Sequence, residues 1–151
     1  MVMKRIFILS TTIIMMLCTT LSWADNDKVI EMHQLPTNSQ NLIKHHFKGL
    51  NISIIKQDTD FLDKSYTVIF DNGARIEFNK KGEWKEIDCG KFYVPEGIIP
   101  SKIVTFIKSK YPQAKVVEID IDDDSKGYDV ELDNGITLEF NRHQELVDID
   151  R

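Results

Sequence analysis

The chain has 151 residues, of which 42% are hydrophobic and 28% are charged, and its formal net charge is −5. This balance is typical of a globular protein and excludes wholesale disorder, a collagen and a coiled-coil rod. The negative charge argues against a nucleic-acid binder, which needs basic residues against phosphates. The 2 cysteines are too few for a disulfide scaffold.

Residues 1–24 have the pattern of a secretory signal peptide. Lys4 and Arg5 precede an apolar run, and Ser22-Trp23-Ala24 supplies small residues before a cleavage site. The run is shorter than the roughly 20 residues that a membrane-spanning helix needs, so the pattern favours cleavage over a membrane anchor. A lipoprotein site at Cys18 is disfavoured because Leu17 stands where a small residue is expected. We therefore expect a periplasmic protein with no membrane attachment after cleavage.

Cleavage would leave Cys89 as a single thiol and, by removing two basic residues, would change the net charge from −5 to −7. A lone cysteine in an oxidising compartment is either buried or available for a bond to another chain. Burial is the expectation favoured here.

The rest of the sequence contains an internal repeat. Residues 66–88 and 128–150 share Tyr, Val, Asp-Asn-Gly, Glu-Phe-Asn, Glu and Ile-Asp at the same spacing. Such self-similarity predicts two copies of one structural unit. We place the first repeat at 25–89, a linker at 90–97 and the second repeat at 98–151.

Each copy is predicted to contain one helix followed by four strands. Apolar residues recur at helical spacing after Pro100 and stop at Pro112, and Leu42, Ile43 and Phe47 mark the same face in the first copy. A short leading helix is expected around 28–33. The strand-like segments are 50–57, 65–70, 74–79, 84–89, 115–121, 128–132, 136–141 and 146–150.

The Asp-Asn-Gly turn determines which side chains of these strands share a face. A two-residue loop leaves neither face apolar. A three-residue loop, Asp71-Asn72-Gly73 with Gly73 left-handed, places Val68 opposite Ile76 and makes one face apolar. The fold class expected is therefore α+β. Two four-stranded antiparallel sheets join into one continuous antiparallel sheet, with the helices on one face.

The opposite, open face carries the candidate binding residues. Alternation places carboxylates there, with Glu77 opposite Glu86 and Glu139 opposite Asp129 and Asp148, together with apolar residues. One interpretation is a solvated acidic face; the other is a surface for a basic partner, with tryptophan as an anchor. The candidate partner-binding residues are Ile69, Arg75, Glu77, Trp84, Glu86, Glu139 and Leu146.

Other chemistry is weakly indicated. Asp120, Asp122, Asp124 and Glu131 match positions of a calcium-binding loop, but Ser125 replaces the essential glycine, so an acidic hairpin tip is favoured over a calcium site. The sequence contains no HExxH motif, nucleophile elbow, phosphate-binding loop or CxxC pair. We therefore expect no cofactor, no metal and no enzymatic activity, although distant residues can converge on a site.

Several of these features together carry a family resemblance. They are Leu35-Pro36 and Ile99-Pro100 before each helix, Tyr111-Pro112 at the end of the second helix, and Tyr-x-Val-x-Leu-Asp-Asn-Gly-x-x-Leu-Glu-Phe-Asn at 128–141. In this pattern the chain resembles the PepSY-like, β-lactamase-inhibitor-like secreted proteins of Bacteroidota and related Gram-negative bacteria.

The resemblance implies tandem helix-plus-four-strand units in one antiparallel sheet, whose open face is concave and whose family pattern has no catalytic residues. In true β-lactamase inhibitors a comparable face grips the enzyme, but fold does not fix function. The hypothesis is a periplasmic, non-enzymatic module that binds a protein or peptide. The alternatives are a calcium-binding protein, a structural envelope protein or a small enzyme.

Overall fold

The computed structural model of the chain describes residues 27–60, 63–122, 124 and 126–151. The predicted signal peptide at 1–24, including Cys18, lies outside these residues. Within the described ranges, no helix has the length and apolar character needed to span a membrane.

In the described residues the fold is α+β, with two helices and one nine-stranded antiparallel sheet. Helix α1 spans Thr37–His46 and α2 spans Ser101–Lys110, and a 3-10 turn covers Met32–Gln34. Every strand pairs with its neighbours in sequence order, and α2 lies between β5 and β6. The strands are β1 Lys28–Val29, β2 Ile52–Asp60, β3 Asp63–Phe70, β4 Arg75–Phe78, β5 Trp84–Asp88, β6 Val116–Ile121, β7 Tyr128–Leu132, β8 Thr137–Phe140 and β9 Leu146–Asp150.

The leading helix expected around 28–33 is present only as the 3-10 turn Met32–Gln34, and its first part is wrong. Residues Lys28 and Val29 instead pair with Gln57 and Lys56 as an edge strand, and Ile30 N–H donates to the Ile55 carbonyl at 2.9 Å. The segment is too short to form a stable helix without tertiary contacts, and the edge of β2 offers backbone partners that the segment can use.

One row of apolar side chains crosses the sheet from β2 to β9 and forms the centre of the core. Each member stands directly opposite the next, so all of them share one face. The row from β3 to β8 is fully buried. In strand order this core row is Ile55, Val68, Ile76, Ile87, Ile119, Val130, Leu138 and Ile149.

Both helices pack against the face that carries the core row. The Phe47 ring, at the end of α1, stacks on Phe70 with centroids 5.3 Å apart. The Phe106 ring of α2 meets Phe140 edge-on at 5.6 Å. Ile43 and Ile107 are buried between helix and sheet. Helices and sheet therefore form two layers around one core.

The predicted turn geometry is confirmed. Gly73 has φ +89° and donates to the Phe70 carbonyl at 2.9 Å, while Phe70 N–H donates to Ala74. Gly135 adopts the same left-handed conformation in the β7–β8 turn. These three-residue loops set the registers Val68–Ile76 and Val130–Leu138.

A register shift near the start of β5 and of β9 changes the position of two predicted site residues. Phe78 pairs with Trp84 rather than Lys85, and Phe140 pairs with Leu146 rather than Val147. Because a β-bulge inserts one residue into a strand, it reverses the alternation on one side of itself. Trp84 and Leu146 therefore share the helix-covered face with Phe78 and Phe140, and their predicted place on the open face is wrong.

The two halves of the sheet join through β5 and β6, and Cys89 lies at this join. Its N–H donates to the Val117 carbonyl at 2.8 Å, and Val94 N–H reaches the Val116 carbonyl at 2.9 Å. The Cys89 side chain is buried, as expected, and burial raises the pKa of its thiol to about 11. A neutral, enclosed thiol is a poor nucleophile.

Substitution at Gly82 tests how closely α1 contacts the β4–β5 turn. A Cβ there would lie 2.6 Å from Pro36 Cβ and 2.7 Å from Ser39 Oγ, whereas one at Gly73 would meet nothing within 4 Å. Both positions have positive φ, so each alanine costs about 1–2 kcal/mol of backbone strain. We expect Gly82→Ala to lose about 1–3 kcal/mol more than Gly73→Ala in urea unfolding. Equal losses would show that α1 does not pack tightly here.

Candidate functional site: an acidic face of the sheet

The face opposite the core row carries carboxylates in two cross-strand rows. In one row, Glu77, Glu86, Asp120, Asp129, Glu139 and Asp148 stand opposite one another across six strands without interruption. A second row runs beside the first on the same face. From β4 to β9 its members are Arg75, Asp88, Glu118, Glu131, Thr137 and Asp150. We call the surface formed by these carboxylates the acidic face.

The sequence produces this face by simple alternation. In β6, Glu118 and Asp120 flank Ile119, and in β7, Asp129 and Glu131 flank Val130. Once Ile119 and Val130 enter the core row, their neighbours must point to the other side. Burial of the apolar side chains thus aligns the carboxylates as a consequence.

One arginine bridges two carboxylates at the end of the acidic face nearest β4 and compensates part of their charge. The Arg75 guanidinium donates to Glu77 Oε1 and to Glu86 Oε1, bridging β4 and β5. The Arg75 side chain is 35% exposed, so this ion pair contributes modestly to stability. Among the paired positions of the two rows from β5 to β9, none is basic.

The carboxylates at the centre of the acidic face are half-buried and crowded by like charges. Burial, followed by repulsion from Asp88 and Glu86, raises the pKa of Glu118. Burial and then Asp129 and Asp122 raise the pKa of Asp120, against a smaller opposing effect of Lys85.

The pKa values of the neighbouring Asp129 and Glu86 are raised as well. Burial and then Asp122 raise the pKa of Asp129. For Glu86, burial raises the pKa even though Arg75 acts in the opposite direction. A charged face whose own members raise one another's pKa is stabilised by any added positive charge.

One carboxylate oxygen of Asp120 lacks a hydrogen-bond donor within the described residues. Its Oδ1 atom is buried and accepts no hydrogen bond within the described residues. An unsatisfied buried acceptor costs about 1–3 kcal/mol. An external donor or cation at this position would remove that cost.

The structure separates the predicted site residues into two groups. Ile69, Arg75, Glu77, Glu86 and Glu139 lie on the helix-free side of the sheet. Trp84 and Leu146 lie on the helix side. There the Trp84 ring lies beside the Tyr128 ring, with the two ring centroids 6.5 Å apart.

Seven carboxylates of the acidic face were not among the predicted site residues: Asp88, Glu118, Asp120, Asp129, Glu131, Asp148 and Asp150. Asp88 pairs with Arg75 within the β4–β5 hairpin. The places of Glu118 and Asp120 beside β5 depend instead on the pairing of β5 with β6, which joins the two halves across the linker. The alternation of Glu118 and Asp120 around Ile119 was the available signal. It indicates the face of a strand, but not which strand lies next to it.

The calcium-loop pattern does not form a compact site in the described residues. Asp120 and Glu131 lie on the acidic face, whereas Asp122 Oδ1 accepts the Asp124 N–H at 2.7 Å within the hairpin. Residues 123 and 125 lie outside the described ranges. In the part of the chain that is described, no group of three or more His, Cys, Asp or Glu is arranged to hold a metal ion.

The pH dependence of stability tests the electrostatics of the acidic face. Carboxyls whose folded pKa is raised stabilise the fold fully below their unfolded values of 3.8 and 4.5, and this contribution is lost as the pH rises through the folded pKa. We therefore expect the melting temperature to rise as the pH is lowered from 7 toward the ordinary pKa range of these carboxyls. Glu118→Gln should raise the unfolding free energy at pH 7 by about 0.5–1 kcal/mol.

The control is Asp71→Asn, which removes a carboxylate from an exposed turn outside the two rows. It should leave the pH dependence unchanged, and high salt should weaken the effect of Glu118→Gln through screening. A melting temperature that falls between pH 7 and pH 5, with no effect of Glu118→Gln, would contradict this description.

Similarity to known proteins agrees with this architecture. The family model described as "Putative beta-lactamase-inhibitor-like, PepSY-like" matches residues 64–148. No curated protein matches the chain.

Three solved structures from Bacteroides resemble the chain. A "putative periplasmic protein" from Bacteroides vulgatus is 41% identical, with a TM-score of 0.80, over 85% of this chain and 99% of that one. A "putative calcium-regulated periplasmic protein" from Bacteroides thetaiotaomicron is 44% identical, with a TM-score of 0.80 and the same coverages.

The third is a "putative periplasmic protein of unknown function" from Bacteroides vulgatus, 34% identical with a TM-score of 0.75, over 83% of this chain and 99% of that one. Identity at this level over most of both chains agrees with the match of the family model. The chain belongs to the PepSY-like, beta-lactamase-inhibitor-like family.

Proposed function

We propose that the protein is a periplasmic, non-enzymatic binding module whose acidic face receives a basic segment of a protein or peptide. The observation that carries this proposal is the uninterrupted carboxylate row from Glu77 to Asp148. Like charges placed directly across strands destabilise a sheet. A basic partner would relieve this cost on binding.

The proposed surface comprises two repeated units of one helix and four strands. Two parallels between the halves support this. Each half has a turn with a left-handed glycine, Gly73 or Gly135, and each has a register shift that brings Trp84 or Leu146 opposite a phenylalanine. Joining the units edge to edge extends one acidic face across both.

The contacts also support a proposal for where a partner binds. At the β4 end, Arg75 already occupies Glu77 and Glu86. From β6 to β8 the rows contain Glu118, Glu131 and Glu139 with no basic residue at a paired position. We therefore propose that the basic segment binds over β6 to β9, where charge complementarity would steer association and select the partner.

Periplasmic location and the lack of enzymatic activity are parts of this proposal. The similar structures are named as periplasmic proteins, and residues 1–24 have the pattern of a signal peptide. The family is described as inhibitor-like. Both facts suit a module that acts by occupying a surface of another protein.

Site-specific photocrosslinking tests the proposed function. A photoreactive residue at Thr137, between Glu131 and Asp150 on the acidic face, should form an adduct in living cells with a protein segment rich in Lys or Arg. The same group at Asp71 is the control and should not. Adding Glu118→Lys and Glu131→Lys should abolish the adduct. An adduct that survives this double reversal, or only acidic segments in the products, would refute the proposal.

A second candidate function is regulation by a divalent cation. The relative from Bacteroides thetaiotaomicron is named as calcium-regulated, and the unsatisfied Oδ1 of Asp120 faces a region crowded by Asp129 and Asp122. Carboxylate oxygens are the ligands that Ca²⁺ prefers.

Calcium titration distinguishes this candidate. Millimolar Ca²⁺ should raise the melting temperature of the parent chain and of Asp71→Asn, and should not raise that of Asp120→Asn. Magnesium at the same ionic strength serves as the charge control, because Mg²⁺ dehydrates reluctantly and keeps its waters. Equal responses to the two cations, or no response, would contradict calcium regulation.

A further inference from the structure

The two edges of the sheet are covered differently. At one edge, β1 pairs with Lys56 and Gln57 of β2. At the other, no strand within residues 27–60, 63–122, 124 and 126–151 pairs with the outer side of β9. All five residues of β9 are exposed, including Val147 at 64% and Ile149 at 41%.

Comparison with β5 shows what β9 lacks. Ile87 of β5 stands between Ile76 and Ile119 and is fully buried. Ile149 holds the same position in β9, opposite Leu138, but has no neighbour on its other side among the described residues. An apolar side chain from an added strand would bury it as Ile119 buries Ile87.

The backbone of β9 presents donors to this open edge. In β5, Cys89 N–H points away from β4 and donates to Val117 of β6. The residue at the same position after β9 is Arg151, whose N–H instead bonds Asp150 Oδ1 at 2.7 Å. Likewise Ile149 N–H bonds Asp148 Oδ1 at 2.9 Å. The two aspartates thus satisfy edge donors that a neighbouring strand satisfies in the first half.

The same aspartates determine what kind of strand can bind. Asp148 and Asp150 belong to the acidic face, so the open edge carries negative charge on its helix-free side. A second copy of β9 would bring like charges together. A strand with Lys or Arg on that side would draw the carboxylates to its cations and release the two N–H groups for its own carbonyls.

We propose that β9 is a docking edge at which an extended basic peptide adds antiparallel as a tenth strand, with apolar residues beside Ile149 and basic residues beside Asp148 and Asp150. This rests on the proposed function and specifies its partner and binding mode. Main-chain hydrogen bonds supply affinity in such strand addition, and alternate side chains supply specificity. The antiparallel direction continues the pattern of the β5–β6 join.

Backbone N-methylation provides the test. The probe is a synthetic octapeptide of alternating Val and Lys, with binding to the full chain followed by fluorescence anisotropy. In the proposed pairing, a valine of the peptide lies directly opposite Ile149. Because the Ile149 N–H points out from the sheet edge, the N–H and C=O of that valine must point back toward β9. N-methylation of the valines should therefore weaken binding at least about tenfold, because several hydrogen bonds are lost. N-methylation of the lysines should leave binding unchanged.

Protein variants complete the design. Asp148→Lys with Asp150→Lys should weaken binding of the unmodified peptide about tenfold or more, whereas Asp71→Lys should not. If the unmodified peptide does not bind, or both methylated peptides bind equally well, strand addition is refuted. The proposed function then stands or falls separately on the crosslink at Thr137.

Sedimentation of the free protein adds a further outcome. A concentration-dependent dimer that Asp148→Lys disrupts would assign the edge to a second copy and overturn the proposal. A monomer at all concentrations supports it.

Discussion

The architecture depends on one alignment, the core row that runs from Ile55 to Ile149. Because side chains alternate along a strand, fixing this row fixes both faces of the sheet at once. Burial of Ile76, Ile87 and Ile119 beneath the helices supplies the favourable free energy. The carboxylates that flank these residues are then forced into register on the opposite face. Repulsion across that face is the cost of an arrangement that the core makes favourable overall.

Much of the fold could be predicted because its signals are local. The Asp-Asn-Gly turn requires a left-handed glycine, and only the three-residue loop makes one face apolar, so the pairing of Val68 with Ile76 followed from the sequence. The errors arose where tertiary contacts decide the outcome. Residues 28–29 form a strand because β2 offers them an edge. Trp84 and Leu146 lie on the face opposite to the predicted one because of register shifts, which the pattern of apolar residues hardly reveals.

The candidate site was predicted in the same uneven way. Glu77 opposite Glu86 and Glu139 opposite Asp148 lie within hairpins, and hairpin register follows from the turns. Placing Glu118 and Asp120 beside Asp88 and Glu86 required knowledge that β5 pairs with β6 across the linker. That pairing completes the carboxylate row. The most crowded part of the acidic face is therefore the part that could not be predicted from the sequence.

The central claim is that this face carries mutually repelling, partly desolvated carboxylates, and that among the described residues no basic residue occupies a paired position of its two rows from β5 to β9. NMR titration of the side-chain carboxyl carbons measures this residue by residue. We predict midpoints for Glu118, Asp120 and Asp129 above the ordinary values of 4.5 for Glu and 3.8 for Asp. Midpoints at or below those values would show that the face is already compensated, and the case for a basic partner would lose its basis.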